Sequence, residues 1–418
     1  MPHLLLLVSF CLAGFALLLP VSPEWAMRGG ADELGAGLVT ATLMGFTVLA
    51  QLLVKTVLRR LGWSRTLALG ALLLGLPAPV QALSDSLWVV LTTTALRGLG
   101  FGIITVCGST ATATLAPAGR QGAAIGLYGL ALSVPQMVLT PAAPALAAAL
   151  PLPVLIACGV LPVLGLPFAP RLGSEVEART PRLAPEQTAA AGVRANLTVL
   201  RRMLLPLVTL LLVTAAGGAV LTFAPQFAGG AAVAATALFL FAATAALARW
   251  GCGVLADRFS PRPLTFALLV VGCAGLALIA LAVRTGQPPL AVLLTGVVLL
   301  GATYGGLQSI TLVQALDRAG VANRQTTSVF WNIGYDSGTG LGSLVLGLAA
   351  QVATFTAGFT ALSAGMALVA IVVAVAGGGG RASHQSTGAA AGTGGGARDT
   401  APPESTHHDD ARRSRPSC

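Results

Sequence analysis

Long apolar runs, separated by short polar clusters, fill the chain from its first residues to about residue 376. A helix needs roughly twenty mainly apolar residues to cross a bilayer. Twelve runs meet that length: 4–20, 35–56, 65–84, 88–114, 122–146, 151–169, 203–224, 230–250, 263–284, 288–314, 325–350 and 355–376. Stretches such as Leu4-Leu5-Leu6-Leu7 and Ile371-Val372-Val373-Ala374-Val375 lack the apolar–polar alternation of a transmembrane barrel. Helices satisfy their own backbone where water is absent, so the pattern predicts an all-α integral membrane protein. The first run has the length of a secretory signal. However, no Lys or Arg precedes it and a second apolar run follows closely, so it reads as a retained first span.

Two breaks in the pattern are larger than the rest. Residues 170–202 are polar and separate six spans from six, giving an N-terminal bundle over 1–169, a central cytoplasmic loop over 170–202 and a C-terminal bundle over 203–376. From 377 to 418 the chain turns into a Gly/Ala/Ser/Arg tail without the apolar content to fold, and it is expected to be disordered and cytoplasmic.

Composition agrees with a membrane protein. Of 418 residues, 55% are hydrophobic and 9% charged, against about 25% charged in soluble domains. The net charge of +10 gains its meaning from placement. With the N-terminus inside, only Arg28 and Arg284 fall in outside loops, and Arg97 lies mid-helix. The other Lys and Arg residues, Arg249 among them, fall in inside loops or the tail. That asymmetry predicts a multi-pass protein of the cytoplasmic membrane with both termini cytoplasmic. No basic run is interleaved with aromatics, so nucleic acid is not an expected partner. The six Cys form no CxxC pair and three of the four His lie in the tail, so neither a metal site nor any cofactor is expected. There is no P-loop pattern.

The halves repeat one another weakly. Arg120-Gln121 opens the fifth span and Arg324-Gln325 the eleventh, and Gly102 and Gly306 stand at the same offset. The sequence Gly253-Val-Leu-Ala-Asp257-Arg258-Phe-Ser-Pro-Arg262 after the eighth span resembles the loop signature of the major facilitator superfamily. A degraded copy follows the second span. There Lys55 stands at the Gly position and Arg59 at the Asp position, while Arg60, Gly62 and Arg65 remain. Arg97-Gly98-Leu99-Gly100-Phe101-Gly102 is similar to the family's fourth-helix pattern. Gly122, Gly126, Gly129 and Pro135 loosely resemble the fifth-helix pattern of its exporters, without the Gly-Pro pair. The resemblance implies twelve helices in two six-helix bundles, a monomer, and secondary transport of a small molecule. Gly253, Asp257, Arg258, Arg262, Arg59 and Arg60 would serve as a cytoplasmic gating motif.

Charge within a membrane is costly and marks function by default. Asp336 and Arg97 are the two charges deep inside the twelve runs. Asp336 is expected to be a proton-coupling or cation-binding carboxylate, or else a structural Asp bonded to a neighbouring helix. Arg97 is expected to contact substrate or a proton relay from a cavity wall, or else to reach the interface. Polar stripes at helical spacing add Tyr304, Gln308 and Thr311; Ser328, Asn332, Asp336 and Thr339; and Thr40, Thr47 and Gln51. Gly338-Thr-Gly340-Leu-Gly342 lies in an apolar helix and reads as close packing, not nucleotide binding.

An enzyme is not expected. The bundle holds no His, and an intramembrane aspartyl protease would need a second carboxylate beside Tyr335-Asp336. The sequence points to proton-coupled export of a small amphipathic compound. Uptake by the same fold, or a non-transporting sensor derived from it, are the alternatives.

Overall fold

The computed structural model describes residues 1–116, 121–179, 189–284, 288–320 and 323–378, and among them there is no strand. The helices are α1 (Pro2–Arg28), α2 (Glu33–Gly75), α3 (Pro77–Ala82), α4 (Leu87–Leu115), α5 (Gln121–Ala149), α6 (Leu152–Ala157), α7 (Ala169–Arg179), α8 (Ala189–Arg202), α9 (Leu204–Phe227), α10 (Ala231–Arg258), α11 (Pro261–Ala282), α12 (Leu290–Ala319), α13 (Arg324–Val352) and α14 (Phe355–Gly378). Ten helical stretches of the described residues are long and apolar enough to cross a membrane. One of them, Glu33–Ala82, is 50 residues long. Straight, it would measure about 75 Å against a hydrocarbon core of about 30 Å. It is two crossings. The twelfth is α13, whose polar stripe lowers its hydropathy.

Gly62 makes the reversal within α2. Its φ of 74° and ψ of 174° are non-helical, a backbone state open to Gly at little cost. Residues on both sides of it pack on one level of α4. A Cβ at Gly98 or Gly102 would strike the Leu43 or Thr47 carbonyl, and one at Gly100 would strike Gly70 and Leu74. The chain therefore doubles back between residues 50 and 70. Thr66 Oγ1 donates to the Gly62 carbonyl (2.7 Å), and Glu177 Oε1 accepts from the Trp63 N–H (2.8 Å), so the polar groups freed by the turn are met.

The sixth span departs from a single helix. α6 gives way to a 3-10 helix over Cys158–Phe168 that contains Pro162 and Pro167, each lacking the donor an α-helix needs. The central segment also departs from the expected loop. α7 lies under the first half, where Glu175 meets His3 Nδ1 at 2.8 Å and Gly173 packs on Ser64. α8 packs on the second half, with Val199 and Met203 against Ala315 and Ala319. The segment is two amphipathic helices, one docked on each half. Residues 180–188 and 379–418 lie outside the described residues, the expected tail among them.

Each half has its own apolar core. One runs from Leu4 to Val176, the other from Val213 to Val373, with Ala36 buried in it and Met27 packed against it from the first half. The halves meet along antiparallel α2 and α13, and along α5 and α10. On the α2–α13 seam, Gly347 faces the Glu33 carbonyl, Gly37 faces the Ser343 carbonyl, and Gly340 faces Ala41 and Met44. The glycines at 338, 340 and 342 thus serve close packing, with Gly338 and Gly342 against Leu211 and Ala215 of α9.

Candidate functional site at the seam between the halves

The last contact of the seam is polar. Gln51 Nε2 on α2 donates to Asp336 Oδ2 on α13 at 2.6 Å, with both side chains buried. The amide oxygen Oε1 of Gln51 is buried without a partner. Asp336 makes no ion pair among the described residues. On the Glu33–Gly347 side of this pair the seam is closed, with Thr222 Oγ1 donating to Thr40 Oγ1 at 2.9 Å and Gln351 donating to Asp32. On the other side Lys55 and Asn332, one helical turn beyond the pair, are exposed. The seam is shut toward the face expected to be outer and parted toward the other.

Beside Asp336 lies a cluster drawn from three helices of the second half. The Tyr304 and Tyr335 hydroxyls share a hydrogen bond of 2.6 Å. Trp331 stacks on Tyr335 with ring centroids 5.8 Å apart, and its Nε1 donates to Thr311 Oγ1 at 3.2 Å. Arg249 on α10 donates to Gln308 Oε1 on α12. The Arg249 backbone carbonyl accepts from Ser309 Oγ at 2.8 Å. Gln308 Nε2 sits beside the Tyr304 hydroxyl, yet it is buried without an acceptor at hydrogen-bond geometry.

Arg249 is the residue the sequence reading placed wrongly. The apolar run ends at residue 250, one residue beyond Arg249, and the charge pattern counts Arg249 with the inside loop that follows. The helix in fact continues to Arg258. Its extra turns hold Gly251, Gly253, Asp257 and Arg258, so the hydropathy signal fades before the helix does. A tighter signal was available, since Arg249 stands eight residues before Asp257 of the loop pattern.

The other expected residues divide. Gln51, Asp336, Tyr304, Gln308 and Thr311 come together at the seam or beside it. Asn332 does not, because it is exposed and its amide donates to the Ser328 carbonyl of its own helix (2.8 Å). Arg97 is only 1% exposed and does not line a cavity, nor does it reach the interface. Its Nη1 donates to Ser22 Oγ at 3.3 Å, and its Nε and Nη2 have no partner. Ser22 also accepts from Gln81 Nε2 at 3.0 Å. The Gly98–Leu43 and Gly102–Thr47 contacts fix a constant register between parallel α4 and α2, which sets Arg97 nine residues above Gln51. At 1.5 Å per residue that is roughly 13 Å along the axis, so Arg97 and Asp336 do not meet.

The expected gating motif is only partly described. Asp257 and Arg258 end α10, and their side chains lie outside the described residues. Gly253 has open space where a Cβ would stand, so it does not serve close helix approach. Arg59, Arg60 and Arg262 are exposed. Arg120, the surroundings of Gly122 and Gly126, and the side chains of Arg324 and Gln325 also lie outside what is described, while Gly129 faces open space. A depression of about 320 Å³ lined by Glu24, Met27, Arg28, Pro225 and Gln226 lies at the opposite end of the seam, remote from the buried polar cluster. No group of His, Cys, Asp and Glu among the described residues could hold a metal.

Comparison with known proteins agrees with the helical layout. The sequence model described as Major Facilitator Superfamily matches residues 4–343. Among solved structures, the nucleoside transporter NupG superposes with a TM-score of 0.68 at 12% identity, over 89% of this chain and 98% of that one. A bacterial homologue of the human lysosomal transporter Spinster, in an inward-facing and occupied conformation, gives 0.68 at 14% identity, over 90% and 95%. The human organic anion transporter MFSD10 gives 0.62 at 18% identity, over 89% and 98%. No curated protein sequence matches this chain.

Proposed function

This chain belongs to the major facilitator superfamily, and from that premise we propose that it carries a small molecule by alternating access with Asp336 as its proton carrier. It is a multi-pass membrane transporter with the twelve-helix, two-bundle fold, and not an enzyme. Residues 1–169 and 203–376 act as the two moving bundles. The protein works as a monomer in the cytoplasmic membrane with both termini inside.

One observation carries the proton assignment. Asp336 is buried at the seam, its polar partner is the neutral Gln51, and the Gln51 oxygen beside it lacks a donor. A carboxyl that holds a proton would donate to that oxygen and complete a two-bond acid–amide pair. A bare carboxylate would leave the oxygen orphaned and would bury a charge without a counterion. Because Gln51 and Asp336 belong to opposite halves, loss of the proton weakens the contact that closes the seam. Proton and conformation are thereby linked.

The direction of transport follows from whether cargo displaces that proton or accompanies it. Exchange gives export, and a shared step gives uptake. The test uses proteoliposomes of the full chain, with cargo flux measured with and without a pH gradient and a protonophore. Wild type should respond to the gradient, and Asp336→Asn should transport only down the cargo's own gradient. Gradient-driven accumulation that survives in Asp336→Asn would sink the proposal.

A further inference from the structure

We propose that the cargo is an organic anion, a carboxylate on a flat apolar body, bound by Arg249 and Gln308 against Trp331 and Tyr335, and that it travels in the same step as the proton on Asp336. The inference rests on the transport reading above and adds the substrate class.

The argument begins with donors that lack acceptors. A guanidinium has five N–H groups and no acceptor. Arg249 commits one direction of its fork to Gln308 Oε1 and has no carboxylate partner among the described residues. That bond also fixes the amide of Gln308, since its oxygen must face Arg249 and its NH₂ group then lies against the Tyr304 hydroxyl. This NH₂ is buried and without an acceptor. The exposed Arg249 thus keeps most of its N–H groups free of protein acceptors, and the buried Gln308 beside it has an NH₂ without an acceptor at hydrogen-bond geometry. A planar, bidentate oxyanion is the group that Arg recognises best. Lipid phosphate is a poor candidate, because Arg249 stands nine residues, or about 13 Å, before the end of α10 at Arg258.

Aromatic surface supplies the rest of the ligand. Trp331 and Tyr335 stack at 5.8 Å, and Tyr304 lies 6.3 Å from Tyr335. Trp331 and Tyr335 are only partly buried, so part of their surface is free to meet a flat apolar body. Charge decides the coupling. Asp336 follows Tyr335 directly in α13, and a bound carboxylate there would raise the cost of a second negative charge on Asp336. Anion and proton therefore favour one another, which is the sign of a symporter. A cationic cargo would instead displace the proton. On this reading the chain is an uptake carrier, and the expectation of export by exchange gives way.

The test uses the full chain in neutral-lipid nanodiscs and three probes of one shape: 2-naphthoate, 2-naphthamide and 2-naphthylmethylammonium. Titration calorimetry should find naphthoate bound at least about tenfold tighter than the other two. Arg249→Gln should erase that preference, and Arg249→Lys should retain part of it, with thermal melts confirming that both variants fold. In weak buffer, at a pH high enough to ionise Asp336 in the unliganded protein, wild type should take up as much as one proton per naphthoate bound, and Asp336→Asn none. Equal binding of the three probes, preference for the cation, no binding by any, or an unaffected Arg249→Gln variant would each overturn the anion site. Proton release on binding, or none in wild type, would overturn the shared step. The outcomes separate from those of the transport reading. Gradient-driven flux in Asp336→Asn defeats that reading, whereas the naphthoate preference depends on Arg249.

Discussion

Gln51 and Asp336, 285 residues apart in the chain, share a buried hydrogen bond of 2.6 Å, and beyond it toward the expected inner face α2 and α13 part. A bond at the limit of a closed seam acts on the whole seam. Gln51→Leu removes the donor and leaves the Asp336 carboxyl buried without its partner, at a cost of about 1–3 kcal/mol. That cost falls on the closed form. The expected result is slower gradient-driven flux with the fold retained, read as transport rate beside a melting curve. Asp336→Asn keeps the bond and should leave the melting point nearly unchanged.

The seam itself is open to a direct test. A Cβ at Gly37 would stand 2.5 Å from the Ser343 carbonyl. Gly37→Val should therefore disfavour closure by about 1–3 kcal/mol, the usual range for overpacking. A cysteine pair replacing Asp32 and Gln351, whose side chains now touch, should cross-link readily in the parent. It should do so several-fold more slowly once Gly37→Val is added.

Arg97 offers a prediction of opposite sign. It is a buried cation with one neutral partner and two unpartnered nitrogens. Replacing buried ionic groups with apolar ones of similar volume is often neutral or stabilising by about 1–4 kcal/mol. Arg97→Met should melt at the same or a higher temperature than the parent. A clear fall would mean that Arg97 is held by more than Ser22.

Gly62 should be irreplaceable in a way that Gly320 is not. Both have positive φ, at 74° and 80°. A Cβ at Gly62 would also press on Glu177 Oε1 at 3.2 Å, whereas Gly320 faces open space. Ala at either site costs about 1–3 kcal/mol of backbone strain. Gly62→Ala should cost more and loosen α7 as well, visible as faster hydrogen exchange in residues 169–179 than in the Gly320→Ala variant.

Much of this was legible in sequence, because a bilayer demands long apolar runs and punishes stray charge. The twelve spans, Asp336 and the stripe of Tyr304, Gln308 and Thr311 follow from spacing alone. The bond between Gln51 and Asp336 did not follow, since each residue sat in its own helix stripe and nothing local says which stripes face one another. Arg249 was hidden for a different reason: Gly251, Gly253, Asp257 and Arg258 lower the hydropathy of the last turns of α10 and blur the boundary between helix and loop. Gly62 appeared as the remnant of a loop signature, and only its dihedrals show that it reverses two crossings almost without a connecting loop. The paired docking of α7 and α8 lay within a segment whose low hydropathy resembled a linker.

The glycines of the α2–α13 seam carry one more consequence. Where Gly37 faces the Ser343 carbonyl and Gly347 the Glu33 carbonyl, parting the helices uncovers backbone oxygens, with Met44 and Phe223 the larger apolar groups beside them. Water can wet such walls at small expense, so the shut and open forms can lie close in energy. A carrier built this way has no preferred end point of its own. The ion and solute concentrations on its two sides decide which way it runs.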